Sequence, residues 1–233
     1  MILLDIGNTH TRIAAACGEK ITILRTLRSV ELKNEDIPDD PEGVWGASVF
    51  PAAAAKLKNV NFINAARAGK ILDFSSVDSS TLGADRVANA VAALDYGTPA
   101  LVLDCGSAVT IELIDANRRF LGGAIAPGRK MLRQALHANT AQLPEIPLSG
   151  RLPVFPGPNT VEALRFGIDR GAAGAARELI DACEKCYGKF NKIVTGGDAE
   201  FFALALDLPA APADFTLRGV LRIAQGDRRC DSF

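Results

Sequence analysis

The sequence is poor in the residues that most often build metal centres and stacking platforms. It holds two histidines (His10 and His137) and one tryptophan (Trp45), and aromatics make up 6% of its 233 residues. A histidine-based metal site is therefore not expected. Trp45 has no basic stripe beside it and reads as core or interface packing, not as a surface for stacked bases. Neither sign of charge dominates: 26 basic and 27 acidic side chains leave a formal net charge of −1. That balance supplies no electrostatic footprint for nucleic acid and no basic face for an anionic membrane. No apolar run is as long as a bilayer span, and the opening residues lack the pattern of a signal peptide. The expectation is a cytoplasmic protein with small-molecule or protein partners. Cysteines are few, odd in number and scattered (Cys17, Cys105, Cys183, Cys186, Cys230), which suits reduced thiols better than a disulfide framework. Cys183 and Cys186 form a CxxC inside a helical pattern with no second pair, so they read as two thiols on one helix.

What is present is an ordinary globular composition, 48% hydrophobic and 23% charged, enough for a sizeable core. The opening MILLDIGNTH is an apolar strand carrying one misfit. Asp5 is the residue that a buried strand should not accept unless it is paired or functional. MILLDI, TRIAAAC and ITILRTL predict a three-strand meander with turns at Gly7 to Thr9 and Gly18 to Lys20. VWGASVF and VNFIN read as further strands. Pro51 opens a predicted helix over PAAAAKLKN. A polar loop at 72–81 leads into the helical pattern GADRVANAVAALDYG.

The pattern then repeats. ALVLDCGSA, VTIELID and RFLGGAIAPG predict three more strands, followed by a helix over RKMLRQALHANTAQL. Beyond a Pro-rich loop comes a long helix from NTVEALRFG to EKCYG, with possible bends at Gly171 or Gly174. KIVTGGDAEFFALAL reads as strand, glycine turn and helix, and FTLRGVLRIAQG as a last helix. DIGNT and DCGSA thus hold the same place in two similar halves, 1–97 and 98–233. A duplicated α/β unit accounts for this.

Both turns join a small residue, a carboxylate and a hydroxyl at a strand end. Small residues bring backbone N–H groups onto phosphate oxygens, and carboxylates can hold a cation that offsets the phosphate charge. Thr195-Gly196-Gly197-Asp198 opens a helix whose N-terminus also favours an anion. A capped hairpin turn explains any one of these alone. Three in this order, two of them facing a cleft from opposite halves, point to a phosphate-bearing ligand.

The order DIGNTHTR, LGADRVANAVAAL, DCGSAVT, FLGGAIAPG, NTVEALRFG and VTGG resembles the type III pantothenate kinases. These belong to the superfamily of acetate kinase, sugar kinases, heat-shock chaperones and actin. The resemblance runs from Met1 to about Ala224. It implies the duplicated ribonuclease H-like (actin-like ATPase) fold, with mixed sheets flanking a cleft. It also implies ATP-dependent phosphorylation of pantothenate, the first step of coenzyme A synthesis, by a homodimer.

Residue by residue, the resemblance implies an ATP phosphate loop at Asp5, Ile6, Gly7, Asn8, Thr9, His10, Thr11 and Arg12, with Asp5 near magnesium and the phosphates. It implies a pantothenate-binding turn at Gly83, Ala84, Asp85 and Arg86, with Asp85 as general base. It implies a monovalent cation, potassium or ammonium, at Asp104, an ATP contact at Ser107, and a nucleotide-side turn at Gly196 and Gly197. Thr160 corresponds to a substrate contact near the dimer interface. Ser107 replaces the family's usual Thr. Ser76 stands where the family carries a pocket-lining Tyr, and Phe74 is the nearest aromatic. Chemistry agrees with these roles: a carboxylate can take the proton of a primary alcohol, and a guanidinium fork suits a planar carboxylate. An N-cap with a surface ion pair would look the same at Asp85 and Arg86. A kinase for another alcohol and a non-catalytic regulatory protein share the fold. Asp5, Asp85 and Asp104 argue against the regulatory alternative, since a site without catalysis has no need of three carboxylates.

Overall fold

The structure, a computed structural model, describes residues 1–228; Cys230 lies outside them. In chain order the first elements are β1 (Ile2–Ile6), β2 (His10–Cys17), β3 (Lys20–Arg28), β4 (Val44–Ser48), α1 (Pro51–Ala54), β5 (Val60–Phe62), α2 (Ala65–Ala68) and α3 (Ala84–Ala93). Then follow β6 (Ala100–Cys105), β7 (Ala108–Ile114), β8 (Phe120–Pro127), α4 (Arg129–Ala138), α5 (Thr160–Tyr187), β9 (Asn191–Thr195), α6 (Ala199–Leu206) and α7 (Phe215–Arg228).

Compactness divides the chain into two units interleaved along the sequence. The first takes Met1–Ala100, Glu112–Gly122 and the described residues from Pro212; the second takes Leu101–Ile111 and Gly123–Ala211. The first unit carries a mixed sheet in the order β3-β2-β1-β4-β5. β2 runs antiparallel to β1 and β3, while β4 runs parallel to β1 and β5. Flanked on both sides, β1 buries Ile2, Leu3, Leu4 and Ile6, which is why it reads as a continuous apolar run. The second sheet has the order β8-β7-β6-β9, and Val194 of β9 bridges in parallel to Ala210 where the first sheet has a fifth strand. The same strand order recurs, with Asp5 next to last in β1 and Asp104 next to last in β6.

Several local expectations are adjusted. The helix at Pro51 is a single turn, α1, and α2, another single turn capped by the Asn64 side chain, was not expected. The long helix α5 is one element of 28 residues spanning Gly171 and Gly174. Trp45 is buried, with the Arg67 guanidinium 5.0 Å over its ring. Phe201 and Phe202 are core residues of α6.

Helix α3 is buried around its whole circumference from Val87 to Ala93, because α7 packs on it and also reaches β1 and β4. Gly219 makes the α3 to α7 crossing possible. A methyl group there would run into the carbonyl oxygen of Ala88 and lie 2.5 Å from its carbonyl carbon. Beside this contact the Thr216 hydroxyl donates to buried Asn89 at 2.9 Å. Because the obstruction is backbone, Gly219→Ala should force the helices apart and cost about 3 kcal/mol. Urea unfolding of the variant checks this; a loss below about 1 kcal/mol would mean that the crossing adjusts freely.

Candidate active site

In the first unit, antiparallel register sets Arg12 of β2 directly opposite Asp5 of β1. The guanidinium Nη1 lies 3.3 Å from the Asp5 carboxylate, with Asp5 only 16% exposed. The misfit in the apolar run is therefore paired. Burial nevertheless pushes the Asp5 carboxyl up to about 6; Arg12 opposes the shift and the charge of Asp85 adds to it. The turn at residues 7–9 is closed by the Gly7 N–H donating to the His10 carbonyl at 3.1 Å. It is braced by Ser29, whose hydroxyl donates to the Gly7 carbonyl at 2.6 Å, lies 3.0 Å from that of Thr11 and whose N–H reaches the Thr9 carbonyl at 3.0 Å. Asn8 and His10 are exposed on this turn, and Thr11 is buried beneath it. Ser29 escaped the sequence reading because nothing local marks a buried serine just past a strand end.

Gly83 caps α3 in an extended conformation, and Asp85 lies in the first helical turn. The Arg86 N–H donates to the Asp85 carboxylate at 2.7 Å. Burial raises the Asp85 carboxyl above its ordinary range, against the lowering effects of that hydrogen bond and of the Arg86 charge. Arg86 is itself largely withdrawn from solvent, its side chain 15% exposed. Its Nε donates at 2.9 Å to Glu112 of β7, which is fully buried, and its guanidinium lies 5.8 Å over the Phe120 ring. Glu112 was missed in the sequence although a signal existed: a lone carboxylate inside the alternating strand VTIELI must be paired if it faces inward. The structure thus brings Asp5 and Asp85 within electrostatic reach, with Arg86 anchored beside Asp85.

The loop at 72–81 is pinned through Asp73, whose N–H donates to the Arg118 carbonyl and whose carbonyl accepts from the Phe120 N–H. Phe74 is buried against Phe120, ring centroids 5.5 Å apart. Phe74, Ser75, Val77 and Ser79 help to line a hollow of about 460 Å³, while Ser76 stands exposed in the same loop.

In the second unit, the turn after β6 is closed by the Gly106 N–H on the Ala108 carbonyl at 2.9 Å, and the Ser107 carbonyl accepts from the Gly128 N–H at 3.0 Å. Gly196 follows β9 with φ +96°, in the left-handed region where glycine is favoured. A side chain there would collide with the Asp104 carboxylate and lie 2.5 Å from the Cys105 carbonyl oxygen. The Asp198 N–H donates to that same carbonyl at 2.8 Å. Asp104, Ser107, Gly196 and Gly197 are therefore gathered where β6 and β9 end. Thr160 lies apart from them, exposed at the start of α5, where the Asn159 side chain caps the Glu162 N–H at 3.1 Å. It edges an apolar groove of about 740 Å³ between α4 and α5, lined by Leu132, Leu136, Leu164 and Ile168 among others.

Among the described residues no cluster of three His, Cys, Asp or Glu side chains could hold a metal alone. A carboxylate such as Asp5, whose charge burial penalises, suits a hard divalent cation shared with phosphate oxygens. Asp85, with a raised carboxyl, is a stronger base than an ordinary aspartate and is suited to accept the proton of an alcohol.

The family model for type III pantothenate kinase matches residues 1–182. A type III pantothenate kinase of Thermus thermophilus is 34% identical, over 97% of this chain and 99% of its own length. One of Akkermansia muciniphila is 35% identical, over 97% and 98%. Among solved structures, a Campylobacter jejuni protein described as a Baf family transcriptional activator aligns with TM-score 0.67 at 21% identity, over 98% of this chain and all of its own. A hexokinase of the ROK group from Thermus thermophilus aligns at 0.51 and 13% identity, over 99% of both chains. These last two likenesses speak to the fold, that of the actin-like ATPases.

Proposed function

This chain belongs to the type III pantothenate kinase family, and on that footing we propose that it transfers the γ-phosphoryl group of ATP to the primary hydroxyl of pantothenate, giving 4′-phosphopantothenate for coenzyme A synthesis. The observation that carries the reading is that Asp5 and Asp85, two largely withdrawn carboxylates raised by burial, lie within electrostatic reach of each other, with Arg86 beside Asp85 anchored by Glu112. Asp85 takes the hydroxyl proton as the new bond to phosphorus forms. Arg86, steadied at Nε by Glu112, is the proposed partner of the pantothenate carboxylate. Gly83 and Ala84 complete the pantothenate turn, and the loop holding Ser76 supplies the adjoining wall, with Phe74 in the aromatic role.

Asp5 through Arg12 in the first unit, and Ser107, Gly196 and Gly197 in the second, are the proposed ATP contacts. Asp5 would hold magnesium by way of the phosphates, and the ion, when bound, offsets the phosphate charge. Asp104 would hold the potassium or ammonium ion. The halves 1–97 and 98–233 are the proposed copies of the duplicated unit. Homodimerisation, with Thr160 near the interface, is supported by the apolar groove along α4 and α5. A cytoplasmic location is proposed with it; no described helix is long and apolar enough to cross a membrane.

Coupled ADP release with magnesium ATP and pantothenate, run in potassium and again in sodium, tests the reading. Pantothenate-dependent turnover that needs potassium is expected. Turnover with a sugar or another alcohol in place of pantothenate would reassign the substrate, and no turnover with any alcohol would overturn the kinase.

A further inference from the structure

A polar cluster of the second unit joins Asp198, the last residue of the second glycine turn, to three residues that none of the site motifs includes: Arg129, Arg133 and Asp169. Arg129, the first residue of α4, is 1% exposed and makes a two-pronged pair with Asp198: Nε to Oδ2 at 2.7 Å and Nη2 to Oδ1 at 2.5 Å. Its Nη1 reaches Asp169 of α5 at 3.0 Å and donates to the Ser149 carbonyl at 3.1 Å. The guanidinium lies 3.4 Å over the Phe201 ring. Arg133, one turn on, pairs with Asp169 at 2.5 Å and donates to the Arg129 carbonyl at 3.2 Å. Two arginines and two aspartates make the cluster neutral.

Burying three charges and most of a fourth is a poor way to gain stability, since an apolar cluster of equal volume does as well or better. What such a cluster supplies is geometry, because a bidentate fork fixes distance and angle together. The geometry here closes a ring. The backbone from Ser107 is tied to Gly128, Gly128 leads into Arg129, Arg129 grips Asp198, and the Asp198 N–H returns to the Cys105 carbonyl. Both glycine turns of the second unit, Asp104 to Ser107 and Thr195 to Asp198, belong to that ring.

We propose that Arg129 is a positioning residue that, through Asp198, sets the spacing of these two turns and so tunes the affinity for the nucleotide. The inference rests on the reading of Ser107, Gly196 and Gly197 as ATP contacts. Lysine cannot reproduce the fork, although it retains the charge, so Arg129→Lys separates geometry from charge.

The test is magnesium ATP binding by calorimetry, together with KM for each substrate and the melting temperature, for wild type, Arg129→Lys, Asp198→Asn and the double variant. Each single change should weaken ATP binding at least tenfold, leave the KM for pantothenate within twofold, and combine without a further tenfold loss. ATP affinity equal to wild type in Arg129→Lys, or equal losses for both substrates tracking the melting temperature, would overturn the proposal. If Arg129→Lys does not fold, Asp198→Asn carries the same test, because Asp198 is 17% exposed and Asn keeps its shape. A wild type that binds ATP but ignores pantothenate would sink the substrate reading and leave this one standing on its binding arm. A wild type that binds no ATP would sink both.

Discussion

Asp85→Asn is expected to lower pantothenate-dependent turnover by about 10²- to 10⁴-fold, the usual contribution of a positioned general base. The fold should survive, since the amide oxygen of Asn can still accept the Arg86 N–H now bonded to the carboxylate at 2.7 Å. The substitution also removes a charge that burial disfavours, so the melting temperature should hold or rise. The loss should appear in kcat with the two KM values little changed, because Arg86 and the turn remain. In the wild type, kcat/KM should rise with pH through a carboxyl pKa above the ordinary aspartate range, and that limb should vanish in the variant. Coupled ADP release across pH measures both. Undiminished turnover in Asp85→Asn would remove the carboxylate from the mechanism.

Asp5→Asn should separate stability from activity. The Asp5 carboxyl is raised from its usual 3.8 to about 6, so the folded state binds its proton more tightly than the unfolded chain does. Wild-type stability should therefore fall as pH rises from about 4 to about 6, and the loss should be complete above that. A shift of roughly two units corresponds to about 3 kcal/mol. Asn carries no such penalty, although it gives up the charged pair with Arg12 at 3.3 Å. Without nucleotide, Asp5→Asn should match the wild type near pH 4 and exceed it by up to about 3 kcal/mol at pH 7 and above. Urea unfolding at several pH values provides the comparison. With magnesium ATP the order should reverse: the wild type gains a cation beside its carboxylate and is stabilised by binding, while the variant gains less and turns over poorly. A stability difference independent of pH would show that burial of Asp5 is not what sets its pKa.

Much of the site could be read in sequence because it is local. Asp5 and Arg12 are seven residues apart across one hairpin, and alternation with turn chemistry sets that register. Asp85 and Arg86 are adjacent at a helix start. The turns after β6 and β9 announce themselves through their glycines. Periodicity also outlines most strands and the longer helices, while the short length of α1 and the presence of α2 are not legible, because single turns leave too few residues for a pattern.

By itself, the sequence determined the duplicated order of strands and turns and the carboxylates at the strand ends, since both follow from neighbours in the chain. Only the tertiary structure decided that Arg86 answers to Glu112, 26 residues away, and that Arg129 grips Asp198 across 69. It alone decided that α7 returns to α3, where Thr216 meets Asn89 across 127 residues. A buried charge or a missing side chain reveals in sequence that it needs a partner or a close approach. Which residue supplies it depends on packing between distant segments, and no local pattern encodes that.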